Sequence, residues 1–407
     1  MMKENRINTD KVEFLGLNGE CEGIFKNLHT PCYVIDEARL IENGRILLEI
    51  QKRTGCKILL AQKAFSNYDL YNSLAPFLAG TAASGLYEAR LGKETLPQKE
   101  CHVFSAAYRD DEFEEILKWA DHIVFNTPGQ LKKYGKKAKA SGKSIGLRIN
   151  PQCSTQKGNP MYDPCSDQSR LGTTRVQWDK EMTEDEIELL EGIHFHTLCE
   201  QDADALATTL EAVEERWKDV LCRVKWLNMG GGHHITKKGY QLEVLEHCIQ
   251  KMQRSYNVEV YLEPGEAVAF HAGYLVTSVL DVFSNEKQNF AILDMSAACH
   301  TPDVLEVPYK PSLLQACKEN ENGISFQLGG PTCLAGDCIG TYQFLEPLKV
   351  GQQLVFGDMA IYSMCKNNTF NGMPLPNIYE RKESGKIELL ATFGYEDFKY
   401  RLGKKVL

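Results

Sequence analysis

Residues 57–63 read KILLAQK, a short apolar run that closes on a lysine. Seven more runs of this kind follow: GTAAS (80–84), CHVFSA (101–106), HIVFN (122–126), SIGLRIN (144–150), GIHFH (192–196), VKWLNM (224–229) and VEVYLEP (258–264). Short, nearly continuous apolar runs are the pattern of strands buried on both faces. Between them lie amphipathic segments such as DEFEEILKWA (111–120) and DALATTLEAVEERWKDVLCRV (204–224), with apolar residues every third or fourth position, the helical period. Strand and helix therefore alternate. Eight such units fit a (β/α)8 barrel, which spans roughly 250 residues. An open doubly wound sheet alternates in the same way, and the strand count is what favours the barrel.

Beyond about residue 270 the helical pattern thins. Strand-like runs take over: YLVTSVLDVF (274–283), NFAILDMS (289–296), ISFQLGGPTC (324–333), QQLVFGDMA (352–360) and KIELLATF (386–393), separated by Gly, Pro and Asn turns. This pattern predicts a β domain of the sandwich or barrel-like type. The expected division is a barrel over 30–270 and a β domain over 271–407. Strand material from 1–29, or more broadly 12–35, is expected to join the second.

The chain has 407 residues, 43% hydrophobic and 25% charged, enough for two cored domains. Lys and Arg total 46 against 55 Asp and Glu, a net charge of -9. That balance argues against nucleic-acid or anionic-membrane partners and suits a cationic substrate. Neither a signal-peptide run nor an 18-residue apolar stretch is present, so a cytoplasmic, non-membrane protein is expected. The 14 cysteines include no zinc-spaced cluster, so no metal site is expected and the thiols are read as reduced.

In a barrel, Lys63 ends the first strand, His196 the sixth, Gly230, Gly231 and Gly232 follow the seventh and Glu263 ends the eighth. All would then emerge on the C-terminal face, where barrels of this type carry their active sites. Taken singly, each has an ordinary structural reading: a surface lysine, a satisfied core histidine, a tight turn, a strand-end carboxylate. Taken together they suit pyridoxal phosphate (PLP). The lysine amine condenses with its aldehyde. His196 stacks on its ring, and the glycines let backbone N–H groups approach its phosphate. Glu263 accepts a hydrogen bond from the pyridine nitrogen, which keeps that nitrogen protonated and favours decarboxylation.

The stretches LLAQKAFS, ASGLYEARLG, YDPCSDQSRLG, HFHTLCE, MGGGHHIT, LEPGEA, CHTPDVLEVPY, GPTCLAGD and FNGMPLP resemble the carboxynorspermidine/carboxyspermidine decarboxylases. These belong with the ornithine and diaminopimelate decarboxylases among enzymes of the alanine-racemase-like fold. The resemblance implies PLP as cofactor, decarboxylation of a carboxy-polyamine, and a head-to-tail homodimer with shared sites. It implies that Cys333 reaches across the interface to protonate the carbanion carbon and that Tyr362 donates to the phosphate. Asp337 would lie near Cys333 and pair with a basic residue such as Arg170. Where most relatives read EPGR, this chain has Glu266, so an arginine contact to phosphate is lost and another group must compensate. Near Glu306, diaminopimelate decarboxylases carry an arginine for a distal carboxylate. An acid there would repel that substrate and attract an amine. Asp303 and Glu306 are the candidates for reading the distal ammonium, with Glu266 and the loop around Glu200 next. The rivals are a decarboxylase of diaminopimelate or ornithine type and a non-catalytic PLP-binding homologue.

Overall fold

The computed structural model describes residues 24–156, 163–317 and 322–403, in two compact units. Among the described residues, one holds Ile41–Val268; the other joins residues 24–40 to the chain from Ala269 onward. The expected strand within residues 1–23 lies outside the described residues.

The sixteen strands among the described residues are β1 (Cys32–Asp36), β2 (Lys57–Ala61), β3 (Gly80–Ala83), β4 (Glu100–Phe104), β5 (His122–Phe125), β6 (Ser144–Arg148), β7 (Gly192–His194), β8 (Trp226–Asn228), β9 (Glu259–Leu262), β10 (Gly273–Ser284), β11 (Asn289–Leu293), β12 (Ile324–Gly329), β13 (Cys338–Phe344), β14 (Gln353–Gly357), β15 (Asn377–Arg381) and β16 (Ile387–Ala391). Strands β2 to β9 pair in parallel, each with the next, and β9 closes on β2. This is the (β/α)8 barrel, and every one of its strands falls inside a run quoted above or within one residue of it.

Helices cover the barrel. Ala203–Leu221 buries Leu206, Leu210, Val213, Trp217 and Val220, one stripe at spacings of three and four. Pro128 opens the helix Pro128–Ala140, whose cap Thr127 accepts from the Gln130 N–H, a start signal readable in sequence. After β2 the helix is broken into 3-10 turns around Tyr71–Leu74.

Side chains fill the barrel's interior. Near the N-terminal ends of the strands, Trp226 packs with Leu59, Val124 and Tyr261, and its indole N–H donates to Ser144 Oγ at 2.9 Å. The ring fits because two neighbouring strands carry glycine. A Cβ on Gly146 would stand 2.3 Å from Trp226, and one on Gly192 only 1.9 Å from it.

The second unit is one mixed sheet of eight strands in the order β13-β12-β11-β10-β1-β15-β16, with β14 also on β10. The twelve-residue β10 makes this branching work. Its first half lies between β1 and β14, its second half pairs with β11, and the register shifts between Val279 and Asp281. Tyr33 and Leu275 face one apolar cluster, and Cys32, Val34, Tyr274 and Val276 face another. Burial on both sides explains why 274–276 reads as a continuous apolar run. β1 pairs in parallel with β15, so residues 32–36 belong to this sheet, in line with the wider 12–35 expectation and against the 30–270 division. β13 carries Gly340 at φ +151° and β15 reads NIYER, so neither gives an apolar signal of its own.

Gly192→Ala should overpack the barrel base and lower stability by about 1–3 kcal/mol or more, read as an earlier urea midpoint in tryptophan fluorescence. Adding Trp226→Phe should recover part of the loss. An unchanged midpoint in the single variant would contradict this packing.

Candidate active site

Each predicted barrel residue sits just past a strand end. Lys63 follows β2, His196 follows β7, Gly230–Gly232 follow β8 and Glu263 follows β9. Because the strands run parallel, all four groups lie on the C-terminal face.

The three loops after β7, β8 and β9 touch through backbone. A Cβ on Gly230 would stand 2.4 Å from Phe195 O, on Gly231 2.3 Å from Glu263 O and on Gly232 2.1 Å from Leu198 O. Gly230 and Gly232 also hold φ of +70° and +80°. No other residue fits at these positions. The Gly230 N–H donates to Asn228 Oδ1 at 2.9 Å and the Gly231 N–H to His196 Nδ1 at 3.1 Å. The expectation that all three glycine N–H groups meet a phosphate therefore changes. Two of them instead orient the neighbouring side chains.

Glu263 is anchored from two sides. Asn228 Nδ2 donates to Oε1 at 2.7 Å, and His194 Nε2 lies 3.2 Å from Oε2. Burial alone would raise its pKa, but His194 and the Asn228 hydrogen bond overcome that and hold the carboxyl down, at about 2. Burial pushes His194 the other way, towards neutral imidazole. A neutral His194 that donates through Nε2–H satisfies both directions, so the lasting negative charge belongs to Glu263.

His196 is fixed by the Gly231 N–H, which makes Nδ1 the acceptor and leaves the proton of the neutral ring on Nε2. Burial first, then the charges of Lys63 and Arg148, hold it well below its ordinary pKa. Lys63 is exposed to solvent yet has protein on most sides. That desolvation and the nearby Arg148 lower its pKa, with Glu263 opposing. A lysine shifted in this direction has more free amine, the form that attacks a carbonyl.

Arg148, His194 and Asn228 were not among the predicted residues. Arg148 is buried at the end of β6, donates to His196 O at 3.2 Å, and lies 4.7 Å over the Phe104 ring. Burial lowers it to about 10. An arginine ending the apolar run SIGLR was the available signal.

Glu266 opens the short helix Glu266–Ala269 and stands 3.1 Å from His234 Nε2. Although burial opposes it, this pairing raises the His234 pKa. The group facing Glu266 is thus a histidine of MGGGHH.

The remaining predicted residues belong to the second unit. Cys333 is exposed on the turn after β12, its Sγ 3.2 Å from Asn371 Oδ1. Asp337 is buried and accepts from Thr332 Oγ1 at 2.6 Å, Ser296 Oγ at 3.0 Å and the Ala298 N–H at 3.2 Å. It ties down the turn that presents Cys333. Tyr362 has φ +48°, a left-handed conformation that costs a tyrosine about 1–3 kcal/mol. Asp303 and Glu306 occupy one helical turn and both pair with Lys366.

A family model described as pyridoxal-dependent decarboxylase, C-terminal sheet domain, matches residues 32–360. The chain is 39% identical over 388 residues to a carboxynorspermidine/carboxyspermidine decarboxylase of Campylobacter jejuni, covering 93% of this chain and 99% of that one. It belongs to the pyridoxal-dependent decarboxylases. A carboxyaminopropylagmatine decarboxylase of Synechocystis is 38% identical over 378 residues, covering 93% of this chain and 96% of the relative. The crystal structure of the Campylobacter jejuni carboxynorspermidine decarboxylase, complexed with norspermidine, matches with a TM-score of 0.85 at 38% identity, covering 92% of this decarboxylase and all of that chain. A diaminopimelate decarboxylase of Helicobacter pylori shares the fold, at 19% identity and a TM-score of 0.78.

The cofactor is PLP, and the donor set of this decarboxylase fits it. Lys63 offers an amine biased towards its free form, and Glu263 offers a carboxylate that stays ionised to face a ring N–H.

The Glu263 shift sets an acid limit. Its folded pKa of about 2 lies below the ordinary 4.5, so its contribution to stability is complete above 4.5 and is lost as pH falls towards 2. Wild type should lose stability more steeply than Glu263→Gln between pH 4.5 and 2 in urea titrations. Parallel slopes would show that the native carboxylate is not held down.

Proposed function

We propose that this enzyme removes the α-carboxylate of carboxynorspermidine or carboxyspermidine, releasing CO2 and the polyamine. The observation that carries the substrate class is the acid pair of Asp303 and Glu306, which already holds an ammonium. The names of the relatives at 38–39% identity agree with it. These substrates bear a secondary amine and a distal primary amine, both cationic at pH 7. The Synechocystis relative supports a second reading. A distal guanidinium in place of the ammonium would suit the same two carboxylates by bidentate hydrogen bonding.

When bound, PLP supplies an electron sink for the pair left on Cα as CO2 departs. The chain's own groups do the rest. The Lys63 amine would hold the cofactor aldehyde until a substrate amine takes its place. Glu263 would accept a hydrogen bond from the ring nitrogen, and its low pKa keeps it the anion for that role across the working range. His196, locked by Gly231, would pack against the ring. N–H groups from Gly232 onward and the Tyr362 hydroxyl would hold the phosphate. Cys333 would be the group that returns a proton to Cα. We propose a homodimer in which Cys333 of one copy serves Lys63 of the other. Among the described residues no helix is long and apolar enough to cross a membrane and the 13 cysteines are free, which supports a cytoplasmic enzyme.

A CO2-release assay tests the substrate. kcat/KM should be highest for carboxynorspermidine, carboxyspermidine or carboxyaminopropylagmatine. Lysine and ornithine, which bring only one side-chain cation to the distal acids, should fall about 10- to 150-fold lower, the equivalent of a lost charge-assisted bond of roughly 1.5–3 kcal/mol. A preference for diaminopimelate would overturn the reading.

Lys63→Ala should lose both the visible cofactor band and turnover. Mixing Lys63→Ala with Cys333→Ala protein should restore activity once subunits exchange, since one hybrid site is intact. No recovery after proven exchange would refute the shared site.

A further inference from the structure

Lys366 lies outside the sequence motifs that carry the chemistry. Its ammonium pairs with both Asp303 and Glu306, the two carboxylates assigned above to the substrate's distal amine. Chemically the match is close: a primary ammonium on a flexible methylene arm, taken by two acids from one helical turn. Two carboxylates that could otherwise repel each other are held together by a cation of the same chain.

The setting lets the arm move without the backbone. The segment carrying Lys366 is fastened next to it, where the Asn368 N–H donates to Cys299 O at 2.9 Å and Asn368 Nδ2 to Ala298 O at 2.8 Å. The Lys366 N–H donates to Ser363 O at 3.0 Å. The side chain itself is one-third exposed, at 32%, so a rotamer change is enough to move the ammonium into water. Glu306 is half-exposed, at 51%, while Asp303 is more covered, at 23%, so the pair is reached from the Glu306 side.

We propose that Lys366 is a specificity-determining residue, an internal ammonium that occupies the substrate's amine-reading acids until a polycation displaces it. A tethered competitor acts at high effective concentration. A ligand must therefore bring more than one well-placed cation to win, which carboxy-polyamines do and short diamino acids do not. The free enzyme meanwhile avoids an uncompensated pair of acids. This inference rests on the proposed role of Asp303 and Glu306.

The experiment uses the holoenzyme and its Lys366→Met, Lys366→Gln and Lys366→Arg variants. The readouts are norspermidine binding by calorimetry and kcat and KM for carboxynorspermidine and lysine. Removing the competitor should tighten norspermidine binding and lower KM for carboxynorspermidine, each by roughly fivefold or more, as freeing a partly occupied site does. It should also narrow the preference for carboxynorspermidine over lysine. Lys366→Arg should behave as wild type. Weaker or unchanged binding in the neutral variants, with the cofactor band and thermal midpoint retained, would overturn the proposal. The two neutral variants differ in polarity, so if one fails to fold the other decides. Asp303→Asn and Glu306→Gln separate the two levels. If neither weakens norspermidine binding, the acid-pair reading fails; if they weaken it and the neutral Lys366 variants do not tighten it, the competitor idea alone fails.

Discussion

The absence of three Cβ atoms sets the geometry of the barrel face. Gly230, Gly231 and Gly232 bring the loop after β8 against the carbonyls of Phe195, Glu263 and Leu198, closer than any side chain allows. Interiors are packed too tightly to absorb a carbon at 2.1–2.4 Å without shifting a strand end. This contact binds three consecutive βα loops into one body. From it follow the hydrogen bond that selects the His196 tautomer and the Glu263 N–H bond to Gly230 O at 2.8 Å.

On that frame the charges are arranged so that each is settled before a ligand arrives. Glu263 is kept anionic by amide and imidazole donors, Arg148 is a buried cation whose guanidinium reaches the His196 carbonyl, and Lys63 is biased towards its neutral form between them. Burying ions costs several kcal/mol each unless they are paired and hydrogen-bonded. The His194 and Asn228 contacts supply that pairing for Glu263. Preorganisation of this kind places the anion where a ring N–H is expected, with little rearrangement left for catalysis.

Much of this was legible along the chain, for one physical reason. Parallel strands buried on both faces need continuous apolar runs, and eight such runs leave the barrel as the natural closure. The ends of those runs then marked Lys63, His196, the glycines and Glu263. What stayed hidden depends on which way a residue points. Arg148 and His194 read as strand interior, and closure of the barrel is what turns them towards the site. β13 and β15 take their stability from neighbours and so leave little apolar pattern. The roles of the Gly230 and Gly231 N–H groups depend on acceptors in side chains, which a glycine motif does not encode. The partner of Asp303 and Glu306 is about sixty residues away, beyond any local periodicity, and Ser296 and Ala298, which donate to Asp337, lie about forty residues before it.

The central claim is that the chemistry is organised around Lys63 on the barrel's C-terminal face. Borohydride reduction of the holoenzyme fixes PLP to whichever amine has condensed with it, and peptide mass spectrometry then locates the adduct. The account predicts a single modified peptide, the one containing LLAQKAFS, with the label on Lys63. A label on any other lysine, or an unmodified Lys63 in protein that retains its visible band, would contradict it.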